Sequence, residues 1–173
     1  MNLTLQNPKL RLRPYTSDDA DFLYTLFSES RAMTFYPEEV IRRLANQWLN
    51  EQQEAYIRHG YGVWVMETPS GDPVGQCGFM RRLIRREQAV EMGFSVLRTW
   101  RGRGFASRAA RMAMERARRQ AIAPVVYALT DPDNDIARRI LIKCGFRRDG
   151  EMERHGSNVP LFRYDFKTEE RAS

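Results

Sequence analysis

A stretch rich in glycine and arginine, residues 101–106, has the composition of a loop that binds phosphate. It follows the apolar segment 90–96 and leads directly into residues 107–120, which contain neither Gly nor Pro. This order predicts a strand, a glycine loop and a helix. Glycines let the backbone approach a ligand closely, and the free N–H groups of a helix N-terminus attract anions. We therefore expect the loop to hold a phosphate group.

Four arginines surround the predicted start of this helix: Arg101, Arg103, Arg108 and Arg111. Cations are disfavoured at this end of a helix, so their concentration there indicates a multiply charged anion. A short Gly-x-Gly also occurs in ordinary turns, and the pattern alone leaves that alternative open. A dinucleotide site is not expected, because the third glycine of its fingerprint and a βαβ unit at the start of the chain are missing.

The length of 173 residues fits one domain, residues 1–173, with 167–173 as a polar and frayed tail. The shares of 42% hydrophobic and 29% charged residues are typical of an ordinary globular protein. No apolar run approaches the roughly 20 residues that span a bilayer, and residues 1–10 lack the apolar region of a signal peptide. We therefore expect a cytoplasmic protein without a membrane partner.

The two cysteines and two histidines, Cys77, Cys144, His59 and His155, lack the spacing of metal ligands. We expect no metal site, and we expect both cysteines to be packing residues and not nucleophiles.

The net charge of +6 and the isoelectric point near 9.7 raise the alternative of nucleic-acid binding. The arginines are concentrated in residues 81–86 and 101–119 without an interleaved aromatic RNA motif, so direct nucleic-acid binding is not expected. A basic surface suits any acidic partner, including a phosphorylated cofactor.

The rest of the chain alternates between strand and helix patterns. Strands are predicted at residues 10–13, 62–67, 73–80, 90–96, 124–129, 146–152 and 159–166. Helices are predicted after Thr16 or Ser17 and at residues 38–59, 107–120 and 135–144, the last with Ile136 facing inward. The charged residues 81–87 are predicted to form a solvated loop. The sum is an α+β fold with a mixed, mostly antiparallel sheet of about seven strands and about four flanking helices, in which strands 90–96 and 124–129 run parallel.

Several separated segments match one family. They are Val-Glu-Met-Gly-Phe at 90–94, the loop at 101–106, and Asn134 followed at matching spacing by Lys-Cys-Gly-Phe at 143–146. In these segments the chain resembles the GCN5-related N-acetyltransferases (GNAT family). Residues 10–14 and 59–64 are also similar to its branch that acetylates the N-termini of ribosomal proteins (RimJ/RimL-like).

The resemblance implies a single-domain GNAT-like fold and an acyltransferase that uses acetyl-CoA as donor and no metal. The family's pantetheine arm lies in a gap between the strands that correspond here to 90–96 and 125–129, and it bonds to the backbone as an added strand would. The residues that the resemblance assigns to the cofactor are Phe94, Ser95 and Val96 for the pantetheine, Arg101, Gly102, Arg103, Gly104, Phe105, Ala106 and Ser107 for the pyrophosphate, and Asn134 for the cofactor arm.

The resemblance also implies direct attack of a primary amine on the thioester. Glu91 is the candidate general base, directly or through a water, and a strand-edge salt bridge with a nearby arginine is the alternative for this side chain. The general acid stays unassigned, because Leu141 and Ala137 stand where the family often has Tyr and Ser.

The expected acceptor is a protein N-terminal α-amine, and the resemblance to the ribosomal-protein branch raises a ribosomal protein as its source. Two alternatives stay open: a small-molecule amine, antibiotic or polyamine acetyltransferase, and a non-catalytic acyl-CoA-binding sensor. A homodimer is possible on the same resemblance.

Overall fold

A computed structural model describes residues 5–7 and 9–169 of the chain. The strands in this part are β1 (Leu5–Asn7), β2 (Leu10–Arg13), β3 (Val63–Glu67), β4 (Pro73–Ile84), β5 (Glu87–Val96), β6 (Val125–Leu129), β7 (Arg147–Arg154) and β8 (Ser157–Asp165). The helices are α1 (Ala20–Ser28), α2 (Glu38–His59), α3 (Phe105–Arg119), α4 (Asp135–Lys143) and α5 (Phe166–Glu169). None of the described helices is long and apolar enough to cross a bilayer.

The strands follow one another in the order β1-β2-β3-β4-β5-β6-β8-β7. The pairs β1–β2, β2–β3, β3–β4, β6–β8 and β7–β8 are antiparallel, and β5 and β6 are parallel. The predicted α+β class and the mixed, mostly antiparallel sheet are confirmed. The short strand Leu5–Asn7 was not among the predicted strands, because three residues are too few to show an alternating pattern.

Contacts along the chain divide it into two compact units. The first consists of the described residues up to Gly78 together with Phe94–Ala109. In it α1 packs on α2, and the rings of Phe27 and Trp48 make a T-shaped contact with centroids 6.2 Å apart. Its buried core includes Leu10, Leu12, Leu23, Leu26, Ile41, Ala45, Leu49, Val63, Trp64 and Val65.

The second unit consists of Phe79–Gly93 and the described residues from Ala110 onward. It contains β6, β7 and β8, most of β5, and the C-terminal part of α3. Its buried core includes Phe79, Val90, Met92, Ala113, Met114, Val126, Ala128, Leu141, Phe146, Leu161 and Phe162. The prediction of one domain over residues 1–173 stays a prediction.

The predicted bounds of the longest helix are confirmed at both ends. α2 begins at Glu38 after Pro37 and ends at His59, where Gly60 adopts the left-handed conformation that closes a helix, with φ +73°. Acidic Glu38 and Glu39 lie in its first turn and Arg58 and His59 in its last, as the helix dipole favours.

The prediction of a loop at residues 81–87 is wrong. β4 continues to Ile84, β5 begins at Glu87, and the connection is a tight turn of Arg85 and Arg86, with φ +51° and +70°. Exposed arginines are compatible with an antiparallel strand that has one solvated face, so charge alone did not identify a loop.

One smaller prediction also fails, and the prediction of a frayed tail stays a prediction. Ile136 is 72% exposed, because the inward face of α4 carries Ala137 and Leu141, four residues apart. The predicted tail begins inside the short helix α5, and its residues 170–173 lie outside the described part of the chain.

Candidate functional site

The glycine loop has the conformation that the sequence predicts. After β5 comes a 3-10 turn, Arg98–Trp100, and then Gly102 and Gly104 with φ +76° and +79°. A Cβ on Gly102 would meet nothing within 4 Å, so the backbone conformation, and not packing, requires glycine there.

The helix start leaves amide groups without helical acceptors. The first helical hydrogen bond of α3 runs from Arg108 N–H to the carbonyl of Gly104 at 3.1 Å, so the N–H groups of Phe105 and Ala106 have no acceptor one turn earlier in the helix. Such a turn binds anions, and the open space beside Gly102 lets a ligand come close to the backbone.

Two arginines of the loop contact residues close to them in the chain. Arg101 Nε donates to the carbonyl of Val96 at 3.0 Å, which ties the loop to the end of β5. The Arg103 guanidinium lies 4.8 Å above the ring of Trp100, whose centroid is 5.7 Å from that of Phe105. Both arginines are exposed, so their charge faces solvent at the loop.

The end of β5 lies tightly against β4. Leu97 N–H donates to the carbonyl of Val74 at 2.9 Å. A Cβ on Gly75 would overlap the carbonyl oxygen of Ser95 and lie 3.0 Å from Cα of Val96. Phe94 and Ser95 are half-buried and Val96 is buried, so the absence of a side chain at Gly75 sets where this end of the strand lies.

Glu91 lies in the second unit and is 4% exposed. Both of its carboxylate oxygens accept from Arg154, at 2.9 Å from Nη1 and 2.9 Å from Nη2. The ion pair with an arginine, which was the alternative expected for Glu91, is therefore found, and the arginine lies 63 positions away in the chain. Its catalytic role stays a prediction.

The parallel ladder between β5 and β6 is short. In the described part of the chain its register contains two pairs, Val90 with Val126 and Glu91 with Tyr127. Later residues of both strands in this unit, 92–93 and 128–129, are not in that register. The ladder thus ends directly after Glu91.

Asn134 is the N-cap of α4, and its Oδ1 accepts the N–H of Ala137 at 3.0 Å. This capping role was not predicted. It commits the oxygen of the amide and leaves Nδ2 as a donor. Leu141 and Ala137 are both buried, and because their side chains are aliphatic neither can act as a general acid.

The cysteines are poor nucleophiles here. Burial raises the pKa of the Cys144 thiol, and the nearby charge of Arg111 opposes this shift. Cys77 is buried in β4. Among the described residues, no group of three or more His, Cys, Asp or Glu side chains could hold a metal ion.

A comparison with family models decides the family. The model described as "Acetyltransferase (GNAT) domain" matches residues 9–147. The chain belongs to this family. The predicted membership is confirmed, and with it the prediction of an N-acetyltransferase enzyme.

Known proteins similar to this GNAT domain cover nearly its whole length. YkkB of Bacillus subtilis (strain 168) is 27% identical over 166 residues, which is 95% of each chain. Among solved structures, a GnaT-family acetyltransferase from Bordetella pertussis has a TM-score of 0.80 at 21% identity, covering 92% of this chain and 98% of that one.

Two further structures were solved with a cofactor. RimL, a ribosomal L7/L12 α-N-protein acetyltransferase in complex with coenzyme A, has a TM-score of 0.76 at 15% identity, covering 94% of this chain and 97% of that one. The microcin C7 self-immunity acetyltransferase MccE, in complex with acetyl-CoA and AMP, has a TM-score of 0.71 at 12% identity, covering 92% of this chain and 94% of that one.

Within this GNAT domain, the first unit brings Phe94, Ser95 and Val96 together with the loop from Arg101 to Ser107. Glu91 and Asn134 lie in the second unit. Sequence reasoning missed Arg154 and Gly75. No local pattern indicates Arg154, but a local pattern does indicate Gly75. An isolated glycine inside a strand pattern often marks a close approach of another backbone.

Proposed function

We propose that this GNAT domain transfers an acetyl group from acetyl-CoA to the α-amine of a protein N-terminus. The observation that carries the proposal is the pair of left-handed glycines, Gly102 and Gly104, directly before α3. The similar fold of RimL and MccE, each solved with coenzyme A or acetyl-CoA, supports the same donor.

The residues present fit this donor. Backbone N–H groups of residues 101–107 are proposed to hold the pyrophosphate, and those after Arg101 carry most of the proposal, because Arg101 N–H already donates to the carbonyl of Arg98 at 3.3 Å. Backbone groups of Phe94, Ser95 and Val96 are proposed to bond the pantetheine, and Nδ2 of Asn134 is proposed to donate to the cofactor arm. When bound, acetyl-CoA supplies an activated acetyl group as a thioester.

The chain's own part in the reaction is to align, to stabilise charge and to remove a proton. We propose that a backbone N–H near Val96 stabilises the negative charge that develops on the carbonyl oxygen. An α-amine with a pKa of about 8 is roughly one tenth neutral at pH 7, whereas a lysine with a pKa of about 10.4 is less than a thousandth neutral. An N-terminal acceptor therefore demands less of the base.

Glu91 is the residue that we propose as general base, directly or through a water. The ion pair with Arg154 limits this role, because both carboxylate oxygens of Glu91 already accept hydrogen bonds from the guanidinium. One oxygen must turn from the guanidinium, or share it with a water, before it can accept a proton.

The proposal of a ribosomal protein as acceptor is supported by the similar fold of RimL, which is a ribosomal L7/L12 α-N-protein acetyltransferase. The net charge of +6 is a poor match for polycationic acceptors such as polyamines, which also favours a protein N-terminus.

The test is transfer from acetyl-CoA with the purified protein. The acceptors are peptides with free N-termini, peptides with lysine side chains, and small amines. Release of the coenzyme A thiol and mass spectrometry of the products measure the transfer. We expect acetylation at peptide α-amines. Transfer confined to small amines would show that the acceptor is a small molecule. If coenzyme A binds tightly but no amine is acetylated, the protein is better explained as a sensor. If coenzyme A does not bind, the proposed donor is refuted.

A matched pair of glycine variants tests the loop. Gly102→Ala and Gly71→Ala both place a side chain at positive φ, +76° and +96°, with nothing within 4 Å of the new Cβ. Both therefore carry a similar backbone cost of about 1 kcal/mol. We expect Gly102→Ala alone to weaken coenzyme A binding, by about tenfold in calorimetric titration, and equal affinities would count against the phosphate site.

Glu91→Gln tests the base. If Glu91 takes the proton, the rate falls and its pH dependence moves upward, because the substrate amine must then lose its proton without help. A lower rate with an unchanged pH profile would instead assign Glu91 to holding Arg154.

A further inference from the structure

The ion pair of Glu91 and Arg154 leaves much of the guanidinium unused. A guanidinium has five N–H donors. Glu91 takes one hydrogen from each of the two terminal nitrogens, so Nε–H and one hydrogen on each terminal nitrogen remain. In the described part of the chain, Arg154 makes no other hydrogen bond or ion pair than these.

The remaining donors have a definite chemistry. Nε–H and the adjacent terminal N–H of an arginine lie parallel and form a fork that matches the two oxygens of a carboxylate. Because Glu91 holds the end of the guanidinium, the side fork is already oriented. Little rotamer entropy is then lost when a second carboxylate binds.

Burial decides which partner faces outward. The Glu91 side chain is 6% exposed and the Arg154 side chain is 32% exposed. The carboxylate therefore lies inside, and the arginine side chain keeps about a third of its surface in solvent. A buried carboxylate that holds a partly exposed arginine is an arrangement suited to recognising an anion.

The pair lies at the last position of a strand ladder and at the end of another strand. Glu91 belongs to the last pair of the β5–β6 ladder, opposite Tyr127. Arg154 is the last residue of β7, directly before the turn of His155 and Gly156. Glu91 lies on β5 three residues before Phe94, which is the first residue that we propose to bond the pantetheine.

We propose that Arg154 binds a carboxylate on the acceptor, and that Glu91 is its positioning residue. The acceptor class is then an amine with a carboxylate close by, which for a peptide means Asp or Glu within the first residues of the N-terminus. This inference rests on the proposed function, since it names the acceptor of the same reaction. The positioning role of Glu91 does not depend on whether Glu91 also accepts a proton.

The experiment measures binding and turnover with matched acceptors. Short peptides that differ only by Asp against Asn, or Glu against Gln, at the first two positions are titrated by calorimetry into the protein with coenzyme A bound, and kcat/KM is measured with acetyl-CoA. We expect wild type to bind the acidic member about tenfold more tightly, as charge-assisted hydrogen bonds predict. Arg154→Gln should make the two members equal.

Three variants sharpen the result. Arg154→Lys should keep only part of the preference, because an ammonium lacks the parallel fork. Glu91→Gln should reduce the preference by releasing the guanidinium. Arg163→Gln is the matched control, since Arg163 is a partly exposed arginine on β8 that pairs with Asp165, and it should leave the preference unchanged.

Equal binding of the two members by wild type, or a preference that survives in Arg154→Gln, would overturn the inference whether or not acetyl transfer occurs. Preferential binding by wild type that Arg154→Gln abolishes, without any turnover, would support the inference and refute the proposed enzymatic role alone.

Discussion

Gly75 and the carbonyl of Ser95 approach so closely that a methyl group cannot be placed between them. The two strands meet at the end of β5, where we propose that backbone groups bond the pantetheine. The missing side chain on β4 therefore determines the position of peptide groups that belong to another strand.

Gly75→Ala should weaken coenzyme A binding by about tenfold or more, because the new methyl group must push the Ser95 peptide aside. It should also reduce the free energy of unfolding by about 1–3 kcal/mol. Calorimetric titration measures the first effect and urea denaturation the second. The control is Gly78→Ala, whose Cβ would overlap the carbonyl oxygen of Gly62 and lie 2.6 Å from Cα of Val63, on the β3 side of the same strand β4. If Gly78→Ala lost as much affinity as Gly75→Ala, the effect would be one of general destabilisation.

Two variants of Asn134 should separate its cap from its proposed cofactor contact. Asn134→Ser keeps an oxygen that accepts the Ala137 N–H but removes the amide donor, so stability should change by less than about 0.5 kcal/mol while coenzyme A binding weakens. Asn134→Ala removes both groups and should cost about 1 kcal/mol of stability in addition. Thermal unfolding and titration with coenzyme A give the two readouts. Unchanged affinity in Asn134→Ser would leave the cap as the whole role of this residue.

Asp19 should make the protein less stable in acid. Burial raises the pKa of Asp19, but the paired hydrogen bonds from Arg13 and the bond from the Thr16 N–H lower it by more, so the folded-state pKa lies below the usual value. A group whose pKa is lower in the folded state stabilises the fold above its unfolded pKa of about 3.9. That contribution is lost as pH falls through the folded pKa.

Urea denaturation between about pH 7 and pH 2.5 measures this loss. Asp19→Asn should lower stability near neutral pH and flatten the acidic limb of the curve. An Asp19→Asn variant with the same acid dependence as wild type would show that other carboxylates cause it.

Arg86→Gly should stabilise the protein by about 1 kcal/mol. Arg85 and Arg86 form the turn between β4 and β5 with positive φ at both positions, a conformation that costs a residue with a side chain about 1 kcal/mol and glycine much less. Arg85→Gly relieves the same strain but loses the bonds from Arg85 to Asp149, so it serves as the control and should gain less. Thermal unfolding of the two variants measures these changes in stability. A loss of stability in Arg86→Gly would mean that the Arg86 side chain stabilises the fold by more than its positive φ destabilises it.

The parts of the fold that the sequence predicts are those with local causes. α2 is bounded by Pro37 and Gly60, and its ends follow from the chemistry of those two residues. The glycine loop before α3 is predicted for the same reason, since left-handed conformations favour glycine.

What could not be predicted depends on contacts between distant residues. Glu91 and Arg154 are 63 positions apart, and nothing near either residue indicates the other. The strand at residues 81–84 was hidden because its arginines are typical of a loop, although β4 continues through them to Ile84. Tertiary pairing overrides a local pattern in such a case.

Trp100, which lies beneath the Arg103 guanidinium, gives the protein an optical reporter at its loop. An anion that binds the loop and draws this cation away alters the electric field at the indole, and the fluorescence of Trp100 follows. Trp64 is fully buried and Trp48 donates to Gln76 at 3.1 Å, so the other two indoles supply a constant background. If the loop holds the donor as we propose, titration of the unlabelled protein with coenzyme A should change the Trp100 fluorescence, and this measurement needs no acceptor.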